Sequence, residues 1–271
     1  MYPVLFELEL GRLGTFTIGT YGLFYALGFL LALRLAVGLA KREGIEPTRI
    51  IDLGIVTLIA GFLGAKVLLY LIDWRYYLEH PFEMVRSLRS AGVFYGGFLA
   101  ATLAAVWYIR RHALPLGRVT DLAAPAMALG QAIGRIGCFA AGCCYGRACD
   151  LPWAVTFTDP DAFRLTGAPI GVAVHPTQIY HALADLLILG VTLLALRRRT
   201  RPGQVFWIYV LLYAVLRFVV EFYRGDTARG MFLDGRLSTS QILSGAAVVI
   251  ATVCLVRLRR RGAIAGSRRG A

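Results

Sequence analysis

Four polar residues recur at helical spacing inside an apolar stretch of the second half of the chain. Tyr213, Arg217 and Glu221 follow one another at intervals of four, and Arg224 comes three residues after Glu221. Residues three or four apart share one face of a helix. The spacing therefore predicts a wall with two guanidinium groups and one carboxylate. Arg binds phosphate through paired hydrogen bonds, so the wall favours a polar cavity for an anion; an ion pair that only packs fits the same spacing.

A second candidate for anion binding is Arg135, which stands in the motif Gly134-Arg135-Ile136-Gly137. The glycines lack side-chain bulk, so another helix or a lipid headgroup can approach the backbone closely. We interpret Arg135 as a phosphate clamp. His175 opens the motif His175-Pro176-Thr177-Gln178-Ile179-Tyr180, in which Pro suits a first helical turn. Thr177 and Gln178 either cap that helix or line a site, and the positive end of the helix dipole favours an anion there.

Composition indicates the elements that must position these residues. Hydrophobic residues make up 58% of the 271 residues, charged residues make up 17%, and the mean hydropathy is +0.64. Soluble domains are about 45–50% apolar, so the chain is predicted to be a membrane protein. Its net charge is +13. The basic residues cluster between apolar runs. This distribution favours a role in orienting the protein in the membrane over a surface that binds nucleic acid.

Seven apolar segments are long enough to cross a bilayer, which requires roughly 20 residues per helix. We therefore predict an all-α polytopic membrane protein, with residues 1–271 as one transmembrane domain and residues 142–174 as a folded periplasmic cap. No cleavable signal peptide is evident, because no small-residue cleavage site follows the first apolar run. The segments are 18–40, 50–72, 92–110, 119–141, 176–196, 204–223 and 238–257.

The distribution of Lys and Arg predicts that the N-terminus lies outside and the C-terminus lies in the cytoplasm. The more basic side holds Lys41, Arg42, Arg49, Arg110, Arg111, Arg118, Arg197, Arg198, Arg199, Arg201, Arg257, Arg259, Arg260, Arg261, Arg268 and Arg269. The other side holds Arg12, Arg75, Arg86, Arg89, Arg147, Arg164, Arg224, Arg229 and Arg236.

The apolar runs contain charged residues, and we single out five of them. Such residues usually face a cavity or a partner, because a charge at the bilayer centre costs about 2.5–3.5 kcal/mol. Near a span end, a long side chain can instead reach the interface. That alternative stays open above all for Arg34 and Lys66; the other three are Arg135, Arg217 and Glu221.

Taken together, the motifs resemble the prolipoprotein diacylglyceryl transferase family. They recur in order along most of the chain. The matching segments are Tyr21-Gly22-Leu23-Phe24-Tyr25, Tyr95-Gly96-Gly97, Gly134-Arg135-Ile136-Gly137-x-Phe139 to Gly146-Arg147, Pro152-Trp153-Ala154, His175-Pro176-Thr177-Gln178-Ile179-Tyr180, Tyr213-x3-Arg217-x3-Glu221-Phe222-x-Arg224 and Ser240-Gln241-Ile242-Leu243-Ser244.

The resemblance implies an inner-membrane enzyme whose active site opens toward the periplasmic leaflet. Its substrates would be phosphatidylglycerol and a prolipoprotein signal peptide with a lipobox cysteine, and it would release glycerol phosphate. Membrane lipid would be a further partner; no cofactor, metal or nucleic acid is implied. The implied catalytic residues are Arg217, Glu221, Tyr95 and Tyr21. The implied phosphatidylglycerol-binding residues are Arg135, Gly146, Gln178, His175 and Tyr213.

Three positions depart from the family pattern. Tyr95 replaces a histidine before Gly96-Gly97, and a Tyr with its ordinary pKa of about 10 is a poor base, although it can orient a thiol by hydrogen bonding. Cys138 and Cys143 replace Asn and Glu. Lys66 replaces an Arg, so a compact ammonium group stands where the family has a planar guanidinium group that can form paired hydrogen bonds.

Four cysteines, Cys138, Cys143, Cys144 and Cys149, lie close together in the sequence. Their spacing, C-x4-C-C-x4-C, matches no zinc pattern that we recognise. An oxidising compartment permits a disulfide; packed free thiols, a metal site or an acyl-carrying thiol are the alternatives. Cys254 has no such neighbours.

Two other functions remain open from the sequence. One is a divergent paralogue that modifies another thiol acceptor or is inactive. The other is a small-solute transporter, because charges inside spans also occur in transporters. We find no inverted repeat and no paired broken helices of the kind that transporters show.

Overall fold

A computed structural model describes residues 2–9, 15–87, 92–225, 231–232 and 237–267. The helices are α1 (Thr20–Arg42), α2 (Pro47–Ile72), α3 (Trp74–Glu79), α4 (Pro81–Arg86), α5 (Phe94–Arg111), α6 (Leu116–Ala141), α7 (Pro160–Thr166), α8 (Thr177–Arg198), α9 (Gln204–Glu221) and α10 (Thr239–Ser267). Three antiparallel strand pairs accompany them: β1 (Val4–Glu9) with β2 (Thr15–Gly19), β3 (Val155–Thr156) with β4 (Ala173–Val174), and β5 (Met231–Phe232) with β6 (Leu237–Ser238).

The prediction of an all-α polytopic membrane protein is confirmed. Within the described residues, six helices are long and apolar enough to cross a membrane. All seven predicted segments form helices, but the 18-residue α5 is not among those six. The number of seven spans and the orientation of the termini stay predictions. Some of the Arg residues used for the orientation lie outside the described residues, namely Arg12, Arg89, Arg229, Arg236, Arg268 and Arg269.

The chain divides into two compact units. One comprises Met1–Ala36 and Thr120–Ala271, and the other comprises Val37–Val119; we call them the large unit and the small unit. Within the small unit, α2 and α5 pack through glycines. A Cβ atom added to Gly64 or Gly96 would meet backbone atoms of the other glycine. The small residues thus let these two helices approach closely, as is common between membrane helices.

The charged residues Lys66 and Arg34 have different surroundings. Lys66 is buried, and its ammonium group donates to the carbonyl of Ser87 within the small unit. Lys66 is therefore held by a protein acceptor and does not reach solvent. Arg34 is exposed on α1, which agrees with a side chain at the periphery.

The core of the large unit is formed by α6, α8 and α9. Ala124 and Ala128 of α6 pack with Ile188 of α8 and with Val205 and Tyr209 of α9. The Tyr209 hydroxyl donates to the side-chain oxygen of Gln131 on α6, at 2.7 Å. These contacts fix the three helices that carry most of the candidate site residues.

Residues between α6 and α8 form a folded insertion rather than a linker. Val155 pairs with Val174 and Thr156 with Ala173. Asp159 caps α7, since its carboxylate accepts from the Asp161 amide at 2.9 Å. An apolar cluster lies beneath, made of Phe157, Ala162, Ala168 and Val174. The description of 142–174 as a periplasmic cap stays a prediction, because its side of the membrane is untested.

Asp121 of α6 holds the start of α9 in place. It has no exposed surface, and its carboxylate accepts hydrogen bonds from the amides of Gly203 at 2.8 Å and Phe206 at 3.0 Å. It also pairs with Arg199 at 3.3 Å. Amides at a helix start have no partner within the helix, so a carboxylate from a neighbouring helix satisfies them and fixes the position of α9.

We predict that Asp121→Ala destabilises the protein by about 3 kcal/mol, because two amides at the start of α9 and the partly buried Arg199 guanidinium lose a fully buried acceptor. Thermal unfolding in detergent measures the effect. Asp150→Ala removes an exposed carboxylate and is the control. An unfolding temperature that is equal in both variants contradicts the role given to Asp121.

Candidate active site

Arg217 is held in place by two side chains in the interior of the large unit. Its Nη1 pairs with the carboxylate of Glu221, one helical turn later. Its Nη2 donates to the hydroxyl of Ser240, at 3.0 Å. Arg217 and Glu221 are 9% and 8% exposed, so this pair is desolvated. The predicted alignment of these two residues on one helix face is confirmed.

Ser240 is positioned by the N-terminal cap of α10. The Ser238 amide donates to the Gln241 side-chain oxygen at 3.0 Å, and the Gln241 amide donates to Ser238 Oγ at 3.2 Å. This reciprocal pair is a capping box. It fixes the first turn of α10, so the Ser240 hydroxyl is presented to Arg217 from a rigid backbone.

Arg224 does not lie on the helix face that carries Arg217 and Glu221, although its spacing in the sequence predicted this. The helix ends at Glu221, and the backbone of Arg224 instead forms a β-bridge with Gly146. The Arg147 guanidinium donates to the Arg224 carbonyl at 3.1 Å. The side chain of Arg224 is nevertheless buried and remains an electrostatic neighbour of both Arg217 and Glu221.

Arg135 lies on α6 beside polar groups of other elements. Its charged or titratable neighbours are Tyr213, Cys144, Cys138 and Asp185. The two glycines of this motif, Gly134 and Gly137, have different surroundings. A Cβ on Gly137 would come within 2.7 Å of the Phe24 side chain on α1, whereas a Cβ on Gly134 would meet nothing within 4 Å.

His181 shows that the three arginines converge. It is 2% exposed on α8, and Arg135, Arg217 and Arg224 are all among its electrostatic neighbours. All three guanidinium groups are therefore electrostatic neighbours of one buried side chain, and Glu221 forms an ion pair with Arg217. A group of guanidiniums favours an anionic ligand.

The face of α8 toward this position carries three polar atoms with no hydrogen-bond partner among the described residues. They are Oε1 of Gln178, Nε2 of His181 and Oδ2 of Asp185, all buried. Buried polar atoms usually have a partner, so this face suits a polar ligand or water. His181 and Asp185 were not among the predicted site residues. The rule that identified Arg135, a polar residue inside an apolar run, would have identified them too.

The motif around His175 joins three segments of the large unit. The Gly146 amide donates to the His175 carbonyl at 3.0 Å, and the His175 amide donates to the Arg147 carbonyl at 2.9 Å. The His175 ring lies 3.1 Å from the Tyr180 hydroxyl, which also accepts from the Trp153 indole at 2.8 Å. His175 and Gly146 therefore join the loop after α6 to the segment that leads into α8, and their part in a binding site stays a prediction.

Thr177 and Gln178 do not cap α8. The Thr177 hydroxyl donates to the Cys144 carbonyl and the Gln178 amide group donates to the Cys143 carbonyl, both at 2.7 Å. Both side chains are fully buried. They bind the loop that follows α6 to the start of α8.

The two tyrosines proposed as catalytic lie in different units. Tyr21 is 44% exposed at the start of α1, and Cys138, Cys143 and Cys144 are among its electrostatic neighbours. Tyr95 is 51% exposed on α5 of the small unit, where its ring contacts Phe94. Tyr21 therefore belongs with the residues of the large unit described above. A catalytic role for Tyr95 stays a prediction.

All five cysteines are described, and all are free thiols. Cys138, Cys143 and Cys144 form a cluster in which the sulfur atoms lie within 4.8 Å of one another. Hydrogen bonds with the Cys138 and Cys143 thiols, together with the positive charges of Arg224 and Arg135, lower the pKa of the Cys144 thiol.

Comparison with known proteins adds independent information. Residues 8–257 match the family described as prolipoprotein diacylglyceryl transferase. A phosphatidylglycerol–prolipoprotein diacylglyceryl transferase of Clostridium tetani is 37% identical over 250 residues, which cover 92% of this chain and 95% of the relative. The enzyme of the same name from Geobacter sulfurreducens is 34% identical, with 96% of each chain covered. That from Finegoldia magna is 32% identical over 89% of this chain and 91% of its own.

We predict that Gly146→Ala destabilises the large unit by about 2 kcal/mol. An added Cβ would collide with His175 and lie 2.8 Å from the Tyr223 carbonyl, so the backbone must shift. Gly134→Ala is the matched control, since that Cβ has open space. Thermal unfolding of both variants tests this. Equal unfolding temperatures would show that the contact of Gly146 with His175 and Tyr223 tolerates the methyl group.

Proposed function

This chain belongs to the prolipoprotein diacylglyceryl transferase family, and we propose on that premise that it transfers the diacylglyceryl group of phosphatidylglycerol to prolipoproteins. The names of the relatives supply the two substrates. The observation that supports the proposal for this molecule is that Arg135, Arg217 and Arg224 are all electrostatic neighbours of one buried side chain, His181. Phosphatidylglycerol presents a single phosphate, which is the ligand that such a group of guanidiniums fits.

The acceptor is the lipobox cysteine of the prolipoprotein signal peptide. Its thiol loses a proton to water, the thiolate sulfur attacks the glycerol carbon that carries the phosphate, a C–S bond forms, and the C–O bond breaks. The electron pair stays on the phosphate oxygen, and glycerol phosphate leaves. Negative charge develops on that oxygen in the transition state, so preorganised donors lower the barrier.

The residues divide between binding and stabilisation of the leaving group. Arg135, close to Asp185 and Tyr213, binds the phosphate of the lipid. Arg217 stabilises the departing oxygen, because Glu221 and Ser240 fix its orientation. Gly146, Gln178 and His175 line the site, and Tyr21 lies at its thiol-rich side.

The chain is a multi-pass membrane protein. We place it in the bacterial inner membrane with the site open toward the periplasmic leaflet, where exported prolipoproteins arrive. The excess of Lys and Arg in the opposite loops supports this orientation.

The proposal is tested with purified full-length protein, phosphatidylglycerol vesicles and a lipobox peptide. We expect glycerol phosphate release together with a mass gain on the peptide cysteine. A peptide with Ser at the lipobox cysteine is the control and should give neither signal. Release only with a different thiol would replace the proposal with a paralogous activity, and no release with any thiol would refute it.

We predict that Arg135→Ala and Arg217→Ala each lower the transfer rate by at least about 10²-fold, the usual effect of removing one transition-state donor. Arg34→Ala removes an exposed guanidinium from α1 and should keep the parental rate. Unfolding temperatures establish that the variants are folded. Near-normal rates in a folded Arg135 or Arg217 variant would contradict the site.

We predict that Tyr95→Phe lowers the transfer rate about tenfold, equivalent to one lost hydrogen bond to a reacting group. Because Tyr95 is half exposed, the loss of its hydroxyl should leave the unfolding temperature unchanged. Tyr76→Phe, at another exposed tyrosine of the small unit, is the control. Unchanged kinetics for Tyr95→Phe would remove this residue from catalysis.

A further inference from the structure

Three polar atoms on one face of α8 have no hydrogen-bond partner among the described residues. They are Gln178 Oε1, His181 Nε2 and Asp185 Oδ2. The three residues follow one another at intervals of three and four, so their side chains share one helix face. They are 0%, 2% and 1% exposed. We call these three side chains the α8 polar face.

Other polar groups near this face form hydrogen bonds elsewhere. The buried hydroxyls of Thr177 and Thr192, also on α8, donate to main-chain carbonyls at 2.7 Å. The Tyr209 hydroxyl, an electrostatic neighbour of Asp185, donates to the Gln131 side chain at 2.7 Å. Buried polar atoms usually have a partner. The α8 polar face therefore suits a ligand that brings its own hydrogen-bond donors.

The atoms of the α8 polar face favour a neutral ligand with hydroxyl groups. The side-chain oxygens of Gln178 and Asp185 carry lone pairs, which repel an anion. The three arginines that are electrostatic neighbours of His181 repel a cation. A hydroxyl group is neutral and both donates and accepts hydrogen bonds. It therefore also matches either tautomer of the His181 ring.

We propose that the α8 polar face binds the hydroxyl groups on the glycerol headgroup of phosphatidylglycerol, so that His181 and Asp185 determine the headgroup specificity. This inference rests on the proposed function, in which Arg135 binds the phosphate. Arg135 is an electrostatic neighbour of both His181 and Asp185. The headgroup glycerol is esterified to that phosphate, so a phosphate held at Arg135 brings the two hydroxyls close to this face.

The α8 polar face also orients the lipid for the reaction. The phosphate of phosphatidylglycerol carries two ester oxygens, one from the diacylglycerol and one from the headgroup glycerol. Guanidinium groups that bind the other two oxygens do not distinguish these sides. Hydroxyl groups held at α8 identify the headgroup side, and the acceptor thiol then meets the carbon of the diacylglyceryl side. Correct orientation of the reacting groups raises the rate.

The first experiment compares three lipids that share their acyl chains, phosphate and net charge. Phosphatidylglycerol has two headgroup hydroxyls, phosphatidyl(ethylene glycol) has one and phosphatidylpropanol has none. Each lipid is mixed at the same mole fraction into phosphatidylcholine vesicles with the purified full-length protein, and transfer to the lipobox peptide is measured. We expect kcat/KM to fall stepwise and to be at least about 10²-fold lower for phosphatidylpropanol, because a site built for hydroxyls rejects an analogue that lacks them.

The second experiment repeats the comparison with variants. His181→Leu and Asp185→Ala should each reduce the preference for phosphatidylglycerol over phosphatidylpropanol to about tenfold or less, because one partner of the hydroxyls is lost. Arg135→Ala removes a phosphate contact that both lipids share, so it should lower both rates and keep the preference. Thr192→Val removes a buried hydroxyl that bonds within α8 and should keep the parental rate and preference. The parental preference in a folded variant at position 181 or 185 contradicts the inference.

Binding measurements separate this inference from the proposed function. Native mass spectrometry of the detergent-solubilised parent should show phosphatidylglycerol bound at least about tenfold more tightly than phosphatidylpropanol, and His181→Leu should remove this difference. Selective binding without transfer to any lipobox peptide overturns the function and leaves the headgroup site. Transfer from all three lipids with equal kcat/KM overturns the headgroup site and leaves the function standing. The lipid series on the parent needs no variant, so a folding defect in a variant leaves this test intact.

Discussion

A guanidinium group in the interior of a membrane protein is stable only where other groups replace its lost water. Arg217 meets this condition through Glu221 and Ser240. The pair requires α9 to remain helical up to Glu221, and Ser240 requires the capping box that starts α10. The solvation of one cation thus depends on the positions of two helices. Arg135 and Arg224 are electrostatic neighbours of the same buried side chain as Arg217, namely His181.

Hydropathy was sufficient to locate the seven long helices, because each apolar run of about 20 residues can satisfy its backbone hydrogen bonds only within itself. All seven predicted segments are helical, with ends that differ by a few residues. The same local reasoning found the Arg217–Glu221 pair, since residues four apart meet on any helix. Spacing in the sequence therefore predicted the contacts that form within a single helix.

Features that depend on where a helix stops were beyond such reasoning. Arg224 lies past the end of α9, so helical spacing in the sequence could not predict its backbone pairing with Gly146. Thr177 and Gln178 stand at a helix start, where capping is the common local use, yet they bind the loop that carries Cys143 and Cys144. The convergence of the thiols depends on two left-handed residues. Spacing in the sequence does not reveal such backbone conformations.

The junction of Gly146, His175 and Tyr223 is made largely of main-chain hydrogen bonds. The amides and carbonyls of Gly146, Arg147, His175 and Tyr223 connect the insertion to the ends of α8 and α9. Main-chain bonds place few demands on side-chain identity, apart from the space that Gly146 leaves. The side chains on the surface of the insertion can therefore vary while the backbone frame beneath them keeps its shape. Sequence change at this surface is thus separated from the main-chain contacts that hold the ends of α8 and α9.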